Sequence, residues 1–487
     1  MTRAFGAGGH LPRAAHLVGW GAYAPSQVLT NADLARMVDT NDEWIVKRTG
    51  IRERRVAGPH ETTASMGAVA GLRAIAVAGM DPDEIDLILL ATLTPDYWMP
   101  ATAALVKEAI GNTRAFAMDV MAACSGFAYA YATAQAYIAS GMARNVLVIG
   151  AEALTRFLDF TDRGTCILFG DGAGAVVLSA SDEPGGALGF ELTTEPSGAY
   201  MIWVPAGGAA APPSASTVAG REHYIRMEGK ETYRFATKTL AATALASIRK
   251  AGLAPSDIEL FVPHQANIRI IEAVAKGLGL PMDKMFVNLD RYGNTSAASV
   301  PMALAEAVNS GRVKVGDHVC IVAFGAGFTS GAVTLQWTAD PANGLRAESI
   351  RPEDVHIRMP EDWNSVDQLP PALAAILAAP GPVEVDLSDV VPDEPAATNG
   401  AAALNPAADG NGAADRNAAA DRHGAGPADP NGSGPGVHEH SPGESRAARG
   451  AAAPGGAGNN GSGTPATAGP ATDGTVAPMR EHEEVNS

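Results

Sequence analysis

Cysteine is scarce: Cys124, Cys166 and Cys320 are the only three in 487 residues. So few, so widely spaced, exclude a disulfide framework and a zinc-ligating cluster, and no metal is expected. Aromatic residues are only 6% of the chain, and none follows Trp363. No apolar run reaches the roughly 18–20 residues of a membrane span, so no membrane is expected. The basic N-terminal residues are not followed by a continuous apolar stretch, so no secretory signal is visible. A reducing cytoplasm is the expected compartment. Positive charge is also short: the formal net charge is −18. A basic stripe for nucleic acid is therefore not expected.

What is there divides unevenly. Between Val391 and Ser487, 52 of 97 residues are Ala, Gly or Pro. Such a segment buries too little apolar surface to offset its ordering entropy, so 391–487 reads as a disordered acidic tail. From residue 338 onward, 22 acidic residues face 8 basic ones. The first 337 residues then hold 31 acidic and 27 basic residues, a near-balanced body long enough for a large core. Residues 338–390 form an intermediate extension, where Pro371-Ala-Leu-Ala-Ala-Ile-Leu suggests a short helix docked on the body.

The body carries a repeat. Ala78-Gly-Met-Asp-Pro-Asp-Glu-Ile-Asp-Leu and Ala251-Gly-Leu-Ala-Pro-Ser-Asp-Ile-Glu-Leu share one pattern, 173 positions apart. Each reads as a helix end closed by Gly, a Pro turn and a buried strand. Cys124 and Asn294 each precede a Ser-Gly pair by 16 residues, and their offset is 170. This spacing pairs Cys124 with Asn294 in a duplicated α/β unit, with halves at 14–185 and 186–337. Asp86–Leu90, Phe116–Val120 and Val146–Ile149 are continuous apolar runs, as strands covered on both faces read. Each half is therefore expected to hold a mostly parallel sheet between helices.

Three polar side chains fall where the halves would meet. Cys124 follows an apolar strand and opens a small-residue helix, where unpaired N–H groups and the helix dipole favour a thiolate. A cysteine among alanines is otherwise a small buried hydrophobe, which suits Cys166 and Cys320, each read as lying in an apolar strand. His264 ends a buried strand in Val262-Pro-His-Gln-Ala-Asn, a place from which an imidazole can donate to a developing oxyanion. Asn294, in Gly293-Asn-Thr-Ser, offers a second amide donor, or simply caps a helix. The glycine clusters Phe169-Gly-Asp-Gly-Ala-Gly and Phe324-Gly-Ala-Gly precede strands, not helices, which excludes a nucleotide loop and leaves tight turns.

Together with Asp42-Glu-Trp-Ile-Val-Lys-Arg-Thr-Gly-Ile-Arg, Asp162-Arg-Gly-Thr and Pro263-His-Gln-Ala-Asn-Ile-Arg, these motifs resemble β-ketoacyl-acyl-carrier-protein synthase III over about residues 14–337. The resemblance implies a thiolase-like, duplicated αβαβα five-layer fold and a homodimer. It implies decarboxylative condensation of an acyl-CoA primer with malonyl-acyl-carrier protein, initiating fatty acid synthesis, with no cofactor because acyl-CoA is itself a substrate. Cys124 would carry the acyl group, and His264 and Asn294 would hold the malonyl thioester oxygen. The backbone N–H groups of Cys124 and Ala326 would form an oxyanion hole. Trp44, Arg48, Arg163 and Asn267 would bind CoA, with the adenine between Trp44 and Arg163. Arg234, Arg269 and Lys276 would dock the carrier protein, and Met99 would gate the primer pocket across the dimer. Ala326 and Ser330 depart from commoner family residues, Gly and Trp. A thiolase-fold acyltransferase that works without decarboxylation is the alternative.

Overall fold

The computed structural model describes residues 14–355, with 357, 374, 375 and 378, all within the unit Met1–Asn399. The tail expected at 391–487 and most of the helix expected at 371–377 lie outside the described residues.

The first half supplies β1 (Ala14–Tyr23), β2 (Gln27–Thr30), β3 (Glu53–Val56), β4 (Leu87–Ala91), β5 (Phe116–Val120), β6 (Asn145–Glu152) and β7 (Gly172–Ser181). The second supplies β8 (Gly186–Thr194), β9 (Ile202–Trp203), β10 (Arg226–Met227), β11 (Leu260–Pro263), β12 (His318–Gly325) and β13 (Thr329–Gln336). One main sheet runs β1-β7-β6-β4-β5, and the other β8-β13-β12-β11. A parallel bridge from Phe261 to Met285 stands where a fifth strand would extend the second. The two sheets thus share one strand order, and β11 begins 173 residues after β4.

Both sheets are mostly parallel in strand direction, as expected, with one exception each. In the first, β1, β6, β4 and β5 run one way and β7 alone opposes them. In the second, β8, β12 and β11 run one way and β13 alone opposes them. A continuous apolar run reports cover on both faces, which an antiparallel strand between helix layers shares, so it does not single out the exceptions.

Alternation along β4 explains the layering. Leu87 and Leu89 join the core between the sheets, while Ile88 and Leu90 join the core beneath the outer helix Thr63–Ala78. Successive side chains of a strand point to opposite faces, so both faces are covered. Helices Gly126–Ser140 and Ser299–Asn309 fill the space between the sheets through Phe127, Tyr131 and Leu304. Helices Gly229–Lys250 and Ile268–Leu278 cover the far side of the second sheet with Leu240, Ile271 and Val274.

Two local expectations change. Cys166 closes the short helix Arg163–Cys166 and is not in a strand, while Cys320 lies in β12 as expected. Gly172 and Gly174 sit inside β7, not in a turn; a Cβ on Gly174 would lie 2.5 Å from the Met302 nitrogen. The start of the extension packs on the body: Arg73 Nη2 and Nε donate to the Ile350 carbonyl at 3.3 and 3.4 Å. Arg346 Nη1 donates to the Val77 carbonyl at 3.3 Å, and Val355 is buried.

Candidate active site

After β5 the chain bends through Met121–Ala123, and Cys124 enters a single 3-10 turn (Ala123–Ser125) that leads into helix Gly126–Ser140. Ala123 takes φ 46°, a left-handed conformation uncommon for a residue with a Cβ. The same bend recurs at Ser296–Ala298 before helix Ser299–Asn309, with Ser296 at φ 48°. Ala123 and Ser296 are 173 residues apart, the offset of the strands, so the counterpart of Cys124 is Ala297 and not Asn294. The sequence offset of 170 arises because the Ser-Gly pair comes three residues sooner after the second bend: that helix has 11 residues against 15, and Ser310 caps it where Ser140 is the last residue of the first.

Each bend rests on the central strand of the opposite half. A Cβ on Gly325, at the end of β12, would lie 2.6 Å from the Cys124 nitrogen. A Cβ on Gly150, in β6, would lie 2.3 Å from the Ala297 carbonyl oxygen. Glycine is needed at both, because rigid backbone occupies the space. Ala326 follows directly and keeps its N–H. The left-handed residues of that turn are Gly327 at φ 71° and Phe328 at φ 48°, not Ala326, which explains why alanine is tolerated at 326.

His264 follows β11 and is 1% exposed. Its Nδ1 lies 2.6 Å from Ser299 Oγ, which also accepts from the Gln265 N–H at 3.4 Å. The serine oxygen has two lone pairs and one proton, so it can meet either tautomer; with Ser299 donating to Nδ1, the proton of the neutral ring sits on Nε2. Nε2 is buried and makes no hydrogen bond among the described residues. Burial pushes the imidazole down to about 3, so the ring is neutral at pH 7. Phe324 meets it edge-on, with ring centroids 5.5 Å apart. Asn294 is buried, and its Oδ1 accepts from the Ser296 N–H at 2.9 Å, which leaves its amide N–H donors for another acceptor.

Cys124, His264, Asn294, Ser296, Phe324 and Ala326 all line one cavity of about 870 Å³. Leu93, Trp98, Ile202, Val204 and Ile225 make much of its remaining wall apolar. Burial pushes the Cys124 thiol up to about 12, with Ser296 and the backbone opposing the shift. Desolvation therefore outweighs the helix-dipole effect expected at this position.

The remaining expected residues lie further out. Trp44 is half-buried, with the Arg163 and Arg48 guanidinium carbons 5.3 and 5.4 Å from its ring centroid. A base sandwiched at van der Waals distance needs roughly 7 Å between its neighbours, so adenine enters only if Arg163 moves. Arg163 is meanwhile held by the Asp39 carbonyl at 2.7 Å. Asn267 lines the cavity, caps helix Ile268–Leu278 and donates to the Arg48 carbonyl at 3.0 Å. Arg234, Arg269 and Lys276 are exposed on two packed helices, Arg269 5.4 Å from the Tyr233 ring. Met99 is 83% exposed and does not line its own chain's cavity.

Sequence reasoning missed Ser299, Ser296 and Glu152, which surround the reactive side chains but come from distant segments. It also missed Lys230 and Lys238, exposed one helical turn either side of Arg234. The (i, i+4) spacing of those lysines was the available signal. Among the described residues no group of three or more His, Cys, Asp or Glu is placed to hold a metal.

A duplicated five-layer fold whose halves join a thiol, an imidazole and a carboxamide defines a thiolase-like acyl-transfer enzyme. Comparison with known proteins narrows the class. Family models for 3-oxoacyl-[acyl-carrier-protein] synthase III and for its C-terminal part match residues 118–196 and 248–337. The β-ketoacyl-[acyl-carrier-protein] synthase III of Desulfitobacterium hafniense is 50% identical over 322 residues, 66% of this chain and 97% of that protein. The Roseiflexus sp. enzyme of the same name is 51% identical over 325 residues, 67% of this chain and 99% of that protein. The solved 3-oxoacyl-[acyl-carrier-protein] synthase III of Aquifex aeolicus is 44% identical, with a TM-score of 0.62, and covers 66% of this chain and 100% of its own. This chain belongs to the β-ketoacyl-[acyl-carrier-protein] synthase III family of condensing acyltransferases.

Proposed function

We propose that this chain condenses an acyl-CoA primer with malonyl-acyl-carrier protein, releasing CO2 and CoA and starting fatty acid synthesis. The observation that carries the reading is the shared cavity, in which a neutral His264 and the Asn294 amide stand with the Cys124 sulfur. In the first half-reaction Cys124 attacks the acyl-CoA thioester and keeps the acyl group. In the second, the His264 Nε2–H and Asn294 N–H donate to the malonyl thioester oxygen. Loss of CO2 then leaves a carbanion whose charge moves onto that oxygen. In a water-poor pocket each donor is worth about 3 kcal/mol, by analogy with other oxyanion-hole donors. The carbanion attacks the acyl-Cys124 carbonyl, and the tetrahedral oxyanion faces the Cys124 and Ala326 N–H groups.

Acyl-CoA is a substrate in this scheme, which calls for no cofactor. Trp44, Arg48, Arg163 and Asn267 surround its route in, and Arg234, Arg269 and Lys276 meet the acidic carrier protein. A homodimer is supported by β5, an edge strand of its sheet, beside exposed Phe116, Met121, Trp98 and Met99. An exposed apolar edge strand invites pairing with a second copy. Met99 would then act on the partner's pocket. A reducing cytoplasm suits the free thiols, and no helix among the described residues is long and apolar enough to cross a membrane.

The test supplies carboxyl-labelled malonyl-carrier protein and a panel of acyl-CoA primers. Label release as CO2 with a 3-ketoacyl product and ping-pong kinetics is the expected result. Acyl transfer with the label retained would reject the decarboxylative reading.

A further inference from the structure

The proposed reaction leaves one chemical need unmet. A thiol pushed up to about 12 must lose its proton to attack a thioester. In that reaction His264 donates its Nε2–H to the malonyl oxygen, so that nitrogen is not the acceptor, and Nδ1 is turned to Ser299 Oγ at 2.6 Å. A second buried group faces the sulfur.

Glu152 ends β6 and is 0% exposed. Four donors converge on its carboxylate: Thr94 Oγ1 at 2.7 Å, Thr92 Oγ1 at 3.0 Å, the Leu93 N–H at 3.1 Å and the Thr94 N–H at 3.2 Å. No cation figures among the main influences on it, and burial pushes it up to about 7. The Ser296–Ala298 turn packs against both β6, which ends in Glu152, and the Ala123–Ser125 turn that holds Cys124, and Ser296 opposes the upward push of burial on both side chains. Its Oγ is fully buried and closes no hydrogen bond of ordinary geometry among the described residues. Ser296 also holds the left-handed φ of 48°, a conformation that costs energy in a non-glycine residue. A strained serine with an uncommitted hydroxyl, between a buried carboxylate and a buried thiol, is suited to passing a proton.

We propose that Glu152, through the Ser296 hydroxyl, takes the Cys124 thiol proton during acylation and returns a proton to that sulfur during condensation. The inference rests on the condensing reaction proposed above. In acylation the bond from Cys124 Sγ to the acyl carbon forms, and the bond from that carbon to the CoA sulfur breaks. The thiol proton passes to Ser296 Oγ while the Ser296 proton passes to Glu152. The departing CoA thiolate takes a proton from solvent. In condensation the carbanion displaces Cys124 as thiolate; Ser296 protonates it and is reprotonated by Glu152. The cycle consumes one proton, which balances the carboxylate lost as CO2. Cys124 is the titratable group facing Glu152 across Ser296, and His264 in the same cavity stays neutral. Glu152 touches no substrate and acts as a positioning and proton-holding residue.

The experiment follows acetyl-Cys124 formation from acetyl-CoA by rapid quench and intact mass, on the full chain from pH 5.5 to 8.5. The wild-type rate should rise about tenfold per pH unit and level off near pH 7. Glu152→Gln should acylate at least 30-fold more slowly at pH 8 and lose the pH break, and Glu152→Asp should restore part of both. Ser296→Gly suits the left-handed backbone, removes the hydroxyl and should reproduce the loss with Glu152 intact. Wild-type rate and pH break retained in Glu152→Gln or Ser296→Gly would overturn this inference alone. No adduct on the wild-type chain would overturn the functional reading and this inference with it.

Discussion

Ala123 and Ser296 occupy equivalent places in the two halves and share one backbone state, φ 46° and 48°. Each starts a bend that leads from strand to helix, and each bend rests on a glycine of the opposite half. The next residue is sulfur-bearing Cys124 in one case and inert Ala297 in the other. The hydroxyl of Ser296 and the amide of Asn294 come from the second bend to serve the first. The reaction centre is therefore built by both copies but is chemically one-sided.

The division of labour is separable by mutation. Cys124→Ala should form no acyl adduct by intact mass and release no CoA. His264→Ala and Asn294→Ala should still acylate, yet lose condensation by about 10²–10³-fold each, the range for removal of one oxyanion donor. Condensation retained in Cys124→Ala would remove the nucleophile assignment.

Gly325 offers a geometric test. A methyl group there meets the Cys124 nitrogen at 2.6 Å and the Ser125 nitrogen at 3.1 Å, both of them main-chain atoms. Gly325→Ala should displace the bend and slow acylation by 100-fold or more, since misplacing a reacting atom by about 1 Å costs that much. Rapid-quench acylation and a crystal structure of the variant check this; an unmoved sulfur with an undiminished rate would contradict it.

Stability should depend on pH in two opposite senses. His264 is held near 3 when folded, against an ordinary 6.5. Its contribution is complete above pH 6.5 and declines as pH falls toward 3. The wild-type advantage over His264→Gln should shrink by roughly 3 kcal/mol between pH 7 and 4 in urea unfolding. Asp171 is the reverse case: burial raises it to about 6 despite bonds from the Ala57 N–H and the Thr155 N–H and hydroxyl. Its contribution is complete below its unfolded value and declines as pH rises through 6. Asp171→Asn should therefore gain on wild type between pH 4 and 7. Parallel pH profiles for both pairs would refute these assignments.

Carrier-protein docking should be electrostatic. Reversing Arg234, Arg269 and Lys276 together should raise the KM for malonyl-carrier protein at least tenfold at low salt. Acylation by acyl-CoA should be unchanged, and the difference should fade as salt screens the charges. An unchanged KM would move the docking surface elsewhere. Truncation after Ile357, which keeps the contacts of Ile350 and Arg346, tests whether the acidic tail competes for this surface. A shallower salt dependence with the tail present is expected, because salt weakens the tail's competition together with the docking.

The sequence revealed the parts that depend on local pattern. Apolar runs marked β4, β5 and β6, and Gly-then-Pro turns at Gly79 and Gly252 marked the repeat. Cys124 and His264 were conspicuous as polar residues at strand ends. What escaped depends on distant contacts. Strand direction is invisible in an apolar run, so β7 and β13 came as antiparallel insertions. The helix of 11 residues against its partner of 15 shifted the apparent pairing of Cys124 onto Asn294. The Ser299 contact that holds the His264 ring spans 35 residues, and the Glu152 cage gathers Thr92 and Thr94 from across the sheet.

The turn at Ala297 sets a boundary for engineering. Gly150 of β6 seats it, Gly325 of β12 seats the sulfur-bearing turn, and a Cβ on Gly126 would stand 3.7 Å from the Ala297 methyl carbon, so the two turns adjoin. A protein engineer seeking heat tolerance should leave this methyl group alone, although it lies a full repeat from the sulfur in sequence, because a shift there is handed to Ser296 and to the reacting atoms.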